Sequence, residues 1–234
     1  MLYLFKNKAG SIRRIGNSRL VLRILYYTWI AFPYPIRKPL TALFILWTLA
    51  MKKATGVDRN DKPTSVDDLG NLSFWGVPKI DLRRYTLEIA GEVGSPLSCT
   101  FDELITMESV ERPVRMDCVG GFRNNSTMRG IPLKRLFDLA KVQPAADSAV
   151  FHCADDYQTA HLISDLLKSD AFMAFEINGE RIAKFGFPMR LVALGTYGYK
   201  WPKWVTKIEL VKGFPEGVWE RKGLPKRGKI GDIW

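Results

Sequence analysis

Cys118 carries more potential chemistry than any other residue. It closes a run in which Val114, Met116 and Cys118 share one face, and Val119-Gly120-Gly121 follows at once, then Phe122-Arg123-Asn124-Asn125. Two glycines let a backbone approach something bulky, and the arginine and amides supply polar donors. A thiolate in such a place can be a nucleophile or a ligand for a soft metal, and the cations at Arg115 and Arg123 are expected to favour its deprotonated form. A cysteine at a strand end can equally be a small buried hydrophobe, so the spacing leaves both roles open. Cys99 and Cys153 form no C-x-x-C pair with it. An odd count without metal-type spacing argues against a disulfide-stapled fold and fits a reducing compartment. His152 and His161 are the only histidines, too few for a His-rich zinc or di-iron site.

The elements that must hold this thiol follow from periodicity. Residues 84–93 alternate, with Tyr85, Leu87 and Ile89 on one side and Thr86 and Glu88 on the other, which predicts a strand. Thr100 and Glu103 have capping-box spacing, so a short helix is expected to start there. Residues 113–119 alternate again. Pro132 stands where a first helical turn tolerates proline, and Leu133, Leu136, Phe137 and Ala140 follow at helical spacing. Residues 149–153, 171–177, 189–194 and 204–211 read as strands, and Asn178-Gly179 predicts a hairpin turn back into Arg181-Ile182. With 47% apolar and 25% charged residues, 234 residues suffice for one sizeable core and exclude wholesale disorder. Many strands with a few short helices and no internal repeat give an α+β class.

The charge is divided unevenly. Residues 1–57 contain ten basic side chains and no acidic one, whereas the remainder holds 25 basic and 24 acidic residues, so the net +11 belongs almost wholly to the first segment. That segment is also apolar, with uncharged runs at 24–32 and 39–51 separated by Pro33, Pro35 and Arg37-Lys38. The second run, as a helix, reaches about 20 Å at 1.5 Å per residue, short of a hydrocarbon core about 30 Å thick. Basic residues flanking Trp- and Tyr-bearing apolar stretches suit an element lying in the interface of an anionic membrane, although packing on the domain or a partner subunit is the competing view. Arg13-Arg14 ahead of an apolar stretch resembles a twin-arginine export signal, but Arg23 interrupts it, which favours an uncleaved arm on the cytoplasmic side. The positive charges are interleaved with apolar runs rather than gathered on a polar face, so no nucleic-acid partner is expected.

A composite motif adds specificity. It comprises Val114-Arg115-Met116-Asp117-Cys118-Val119, Gly130-Ile131-Pro132-Leu133, Phe175-Glu176-Ile177-Asn178-Gly179-Glu180, Gly186-Phe187-Pro188-Met189-Arg190-Leu191-Val192, Gly195-Thr196-Tyr197-Gly198-Tyr199-Lys200 and Lys203-Trp204-Val205-Thr206-Lys207-Ile208-Glu209-Leu210. In this order and at these spacings the blocks resemble the molybdopterin-binding domain of the sulfite oxidase family, which includes sulfite oxidases, assimilatory nitrate reductases and the catalytic subunits of bacterial methionine-sulfoxide reductases. The resemblance covers roughly residues 71–221. It implies a fold of mixed sheets with short helices and a molybdopterin-binding catalytic domain (71–234). It does not cover the residues before Asp58, where charge and composition set off a basic apolar helical arm (1–57) and a polar linker (58–70).

By the same resemblance, Cys118 is the protein thiolate on molybdenum, beside two dithiolene sulfurs of one pterin and two terminal oxygens. Tyr157, in Ala154-Asp155-Asp156-Tyr157, matches a pocket tyrosine; Arg190 matches a pocket arginine beside the cofactor; Lys203 matches a basic position near its phosphate. Tyr199 and Lys200 fall in the loop between those two, and Asn71 matches an amide touching the pterin in some members. The implied catalytic residues are therefore Cys118, Tyr157 and Arg190, with Asn71, Tyr199, Lys200 and Lys203 completing the cofactor contacts. The implied activity is two-electron oxygen-atom transfer on a small S- or N-oxide or sulfite-like substrate. The chain has nothing resembling a haem-binding module, so a separate electron-transfer protein, membrane-haem or quinone-linked, is the expected partner, with the arm at a membrane surface. Three positions depart from the family pattern: Phe185 stands where relatives carry histidine or asparagine, and Phe122 and Arg123 stand where tryptophan and serine are common. Phe185 keeps open the alternative of a cofactor-free, membrane-tethered interaction module on the same fold.

Overall fold

The computed structural model describes residues 31–73 and 76–232. Among these, nine strands form two sheets. β1 (Thr86–Gly91) follows the predicted alternation, with Leu87 and Ile89 buried and Glu88 exposed. β2 (Leu97–Thr100) returns antiparallel to it and runs into helix α2 (Phe101–Thr106). The capping box forms: Thr100 Oγ1 accepts from the Glu103 amide at 3.3 Å and the Glu103 carboxylate accepts from the Thr100 amide at 2.8 Å. β3 (Val110–Asp117) leads to Cys118 and pairs with β4 (Arg123–Pro132), which continues directly into α3 (Leu133–Ala140). β5 (Ser148–Cys153), β6 (Gln158–Leu162), α4 (Ile163–Lys168), β7 (Phe172–Ile177), β8 (Arg190–Val192) and β9 (Val205–Val211) complete the domain.

The sheets run β2-β1-β9-β5-β6 and β3-β4-β7-β8. Every neighbouring pair is antiparallel except β1 and β9, whose parallel register sets Glu88 opposite Lys207 and Gly91 opposite Leu210. This is the expected α+β arrangement. β5 and β7 are buried along nearly their whole length, so the core of Leu87, Ile89, Ile131, Phe151, Phe172 and Leu191 lies against both sheets.

One strand is not marked by periodicity, and one expectation needs correction. β4 begins in the polar run Arg123-Asn124-Asn125-Ser126-Thr127, which carries no apolar alternation, yet Asn124, Ser126 and Met128 all point inward. Asn124 is tolerated there because its side chain exchanges hydrogen bonds with the Gly70 amide and carbonyl, at 2.9 and 2.8 Å. The Asn178-Gly179 turn forms, with φ of 51° and 77°, but Arg181-Ile182 pairs with nothing as a strand. A single bridge, Ile177 to Glu180, closes the turn, and the chain leaves into a 3-10 turn at Ala183–Phe185.

The apolar arm contains one long helix, α1 (Tyr34–Thr55), five residues longer at its start than the run at 39–51. Pro33 and Pro35 occupy its entry, where the missing amide hydrogens have no intrahelical partner to lose. Gly56 ends it in the left-handed region at φ 73°, its amide donating to the Lys52 and Lys53 carbonyls. Apart from Ala31 and Phe32, the first apolar run and the Arg13-Arg14 pair lie outside the described residues. Among the described residues no helix is long and apolar enough to cross a membrane. The polar segment after α1, expected as a linker, is strapped along β4: the Thr64 amide donates to the Asn125 carbonyl at 2.7 Å, Asn125 Nδ2 to the Asn60 carbonyl at 2.6 Å, and Leu69 is buried.

Candidate active site

Cys118 sits in a tight turn just past β3. Its amide donates to the Phe122 carbonyl at 2.9 Å, and the Gly121 amide donates to its carbonyl at 3.1 Å. The sulfur is buried and accepts from the Gly120 amide at 3.3 Å. Burial pushes the thiol above its ordinary value, against the opposing pull of the Gly120 N–H and the Lys52 ammonium. The expectation that Arg115 and Arg123 hold it deprotonated is therefore corrected. Arg115 is exposed and pairs with Asp61 at 3.2 Å, while Arg123 is spent on Asp117, with Nε to Oδ1 at 3.0 Å and Nη2 to Oδ2 at 3.2 Å. Coordination to a metal would displace the proton from this group.

Lys203 gathers most of the remaining candidates. It lies just ahead of β9, and its ammonium donates to Asn71 Oδ1 at 2.8 Å and to the Leu72 carbonyl at 2.9 Å. Burial first, and the Arg190 guanidinium second, bring its pKa down to about 7, while Asp155, Cys153 and Cys118 pull the other way. Arg190 opens β8. One terminal nitrogen donates to the Phe185 carbonyl at 2.8 Å, but the buried Nε has no partner. Burial lowers its pKa to about 10. Among the described residues no carboxylate lies within ion-pair distance of either cation. Gly186 makes their closeness feasible: at φ 111°, a Cβ there would stand 2.8 Å from Arg190 Cβ and 3.0 Å from Lys203 Cγ. Phe185, the departure that removes a polar side chain, is buried and contributes its backbone carbonyl to Arg190 instead.

Cys118, Asn71, Arg190 and Lys203 thus share one neighbourhood; Tyr157, Tyr199 and Lys200 do not present their polar groups to it. The Tyr157 hydroxyl donates to the Tyr199 carbonyl, and the Tyr199 hydroxyl donates to the Pro225 carbonyl at 2.6 Å. Both are held above their ordinary pKa, by burial foremost. The Lys200 ammonium has no exposed surface and is held by Glu220, by the Ala160 carbonyl and, at 3.1 Å, by the Lys226 carbonyl. Thr159 Oγ1 donates to the same Glu220 oxygen at 2.6 Å, and His161 bonds the Lys200 carbonyl. A lysine already neutralised by a buried carboxylate has no spare charge for a phosphate, so Lys200 is a strut of the fold.

Sequence reasoning missed Lys52. It lies in α1, yet its ammonium is buried and bonds Asp117 Oδ1 at 3.2 Å, one residue before Cys118. Asp117 is thereby gripped from one side by α1 and from the other by Arg123. No local pattern marks Lys52 apart from Lys53, its exposed neighbour; only tertiary packing does.

The donor set suits a phosphorylated metal-pterin. One buried and one half-buried cation lacking a carboxylate, the first with an unpartnered nitrogen, need an anion beside them. Among the described residues no cluster of three or more His, Cys, Asp or Glu could hold a metal by itself, so a metal on Cys118 has to bring its other ligands with it. A dithiolene group does so, and soft sulfur matches soft sulfur.

Comparison with known proteins agrees with this geometry. The family described as oxidoreductase molybdopterin binding domain matches residues 74–219. The chain is 30% identical over 148 residues to a protein of Azospira oryzae provisionally named protein-methionine-sulfoxide reductase subunit YedZ1, a match covering 63% of this chain and 56% of that one. It is 28% identical over 156 residues to the uncharacterized oxidoreductase YuiH of Bacillus subtilis, covering 66% of this chain and 77% of that one. An NAD(P)H nitrate reductase of Hordeum vulgare is 29% identical over 165 residues, covering 56% of this chain but 18% of its own length. Among solved structures, the sulfane dehydrogenase SoxCD of Paracoccus pantotrophus superposes with a TM-score of 0.61 at 22% identity, over 69% of this chain and 46% of that one. That likeness bears on the fold.

Proposed function

The chain belongs to the family of oxidoreductase molybdopterin-binding domains, and from that premise we propose that it is the catalytic unit of a mononuclear molybdenum oxidoreductase carrying out two-electron oxygen-atom transfer. The observation that carries this reading is the buried Arg190, with its unpartnered Nε, and the half-buried Lys203 beside the buried Cys118 thiol, neither cation in an ion pair among the described residues. When bound, the cofactor supplies the two-electron redox change and the metal's remaining ligands. Cys118 would hold the metal through sulfur, giving up its proton, with the Gly120 N–H donating to that sulfur. Arg190 and the Lys203 ammonium would hold the phosphate, with Asn71 orienting Lys203. Burial of Cys118 and Arg190, with Asn71 and Lys203 half-buried, limits competing water. The Tyr157 hydroxyl braces the Tyr199 carbonyl.

The substrate class follows from which cations remain. Arg123 is committed to Asp117 and Arg190 would be engaged by the cofactor, which leaves neither of these two arginines for an anionic substrate. A neutral S-oxide or N-oxide fits better than sulfite. Electrons would reach it from a separate redox protein, as the family resemblance implies; the match covers 56% of the length of the Azospira relative. Cys118→Ser tests the whole reading. Its X-ray absorption should lose one sulfur donor at molybdenum and its turnover should vanish with the fold intact. Wild-type protein without stoichiometric molybdenum, or an unchanged sulfur shell in the variant, would overturn the assignment; the former result supports the cofactor-free module.

A further inference from the structure

Helix α1 has two apolar faces, and only one is used. Thr41, Ala42, Ile45, Thr48 and Lys52 face the domain and are buried. Lys52 fastens one end to Asp117, and near the other Thr41 packs so closely on Gly223 that a Cβ there would stand 3.2 Å from its hydroxyl. Opposite them, Ile36, Leu40, Leu43, Leu46 and Trp47 point away, with Leu43 61% exposed. Phe32 and Tyr34 are also exposed at the entry to the helix. An uninterrupted apolar stripe of this length on a helix that is already packed on its other side marks a docking surface.

We propose that the outward face of α1 seats on an anionic lipid bilayer, with the helix lying in the plane of the interface. Charge selects this occupant. Residues 1–57 carry ten basic side chains and no acid, an excess that a protein partner would need an equally one-sided acidic surface to match and that anionic headgroups match by composition. Lys53 is exposed near the C-terminal end of the helix, placed to meet headgroups while the leucines enter the acyl boundary. Trp47 suits the same boundary region. Among the described residues no helix is long and apolar enough to cross a membrane, and a helix lying in the interface buries this stripe along its whole length. Through Lys52 and Asp117, the docked helix is joined to the residue before Cys118, so the seat on the membrane and the thiol are held by one rigid connection.

The test is flotation of the full-length, cofactor-loaded protein with phosphatidylcholine vesicles, with and without phosphatidylglycerol as a third of the lipid. The protein should float with the anionic vesicles only, and added salt should weaken the association. Leu43→Glu combined with Trp47→Glu should cut the bound fraction about tenfold or more, while molybdenum content and turnover with a soluble electron donor stay unchanged. Leu43→Gln, a milder change, should reduce binding in the same direction. Absence of flotation, or flotation untouched by both variants, overturns the proposal. So does a dimer that the double variant splits without affecting lipid binding, since the face would then belong to a second copy. The readout is lipid association, so its failure leaves the proposed reaction standing, and failure of the reaction leaves this surface standing.

Discussion

Replacing Lys203 by methionine should stabilise the cofactor-free protein in mild acid and destabilise it in alkali. Held at about 7 against an ordinary 10.5, the folded lysine resists protonation by an amount corresponding to roughly 4–5 kcal/mol. The direction follows from linkage. Below the folded value, both folded and unfolded chains carry the proton, and the folded state bears the full penalty. Between about 7 and 10.5 the unfolded chain binds more protons, so wild-type stability gains with rising pH until the penalty is gone. Methionine removes the penalty but also forfeits the bonds to Asn71 Oδ1 and the Leu72 carbonyl, worth about 1 kcal/mol each. The variant should therefore be more stable by roughly 2–3 kcal/mol near about pH 6 and less stable by about 2 kcal/mol near about pH 10. Urea denaturation of both proteins, purified from a host lacking the pterin, measures this difference across the range. Because other titrating groups are common to both chains, they cancel in the comparison. A difference that keeps the same sign and size at both ends would refute the claim that Lys203 is a desolvated cation awaiting an anion. In the cofactor-loaded protein the same substitution should act oppositely, by loosening retention of the phosphate.

Two further substitutions probe the surroundings. Lys52→Met should lower stability by about 1.5–3 kcal/mol in denaturant titration, since Asp117 loses one charge-assisted bond but keeps Arg123; an unchanged midpoint would mean that α1 is not fastened there. Glu220→Gln leaves the Lys200 ammonium buried without a carboxylate and should cost about 3 kcal/mol or more. Molybdenum per folded molecule should be unaffected by that change, and a fall in it would return Lys200 to the cofactor.

Much of this was legible in the residues, for identifiable reasons. Leu87 and Ile89 alternate with polar neighbours because one face of β1 is buried, and α3 shows its core stripe because Leu133, Leu136, Phe137 and Ala140 sit on one side of a surface helix. Thr100 and Glu103 marked a helix start by chemistry that is wholly local. β4 was not legible, because its inward polar residues are satisfied by the distant strap at Gly70. Motif likeness brought Arg190 and Lys203 forward together, yet it also brought Lys200, since nothing at positions 199–200 reveals that Glu220 is waiting twenty residues on. The role of Lys52 depended on a contact 65 positions away, beyond the reach of any local pattern.

The order of strands in the larger sheet has a consequence for how the protein is made. β9, the last strand to leave the ribosome, lies at the centre, between β1 and β5. Until it emerges, the nascent chain holds two separate hairpins with open edges, liable to pair with the wrong neighbour. Lys203 arrives immediately before that strand, so the pocket and the sheet are finished by the same few residues. A product truncated before Val205 lacks the strand that joins β1 to β5, so its larger sheet stays open.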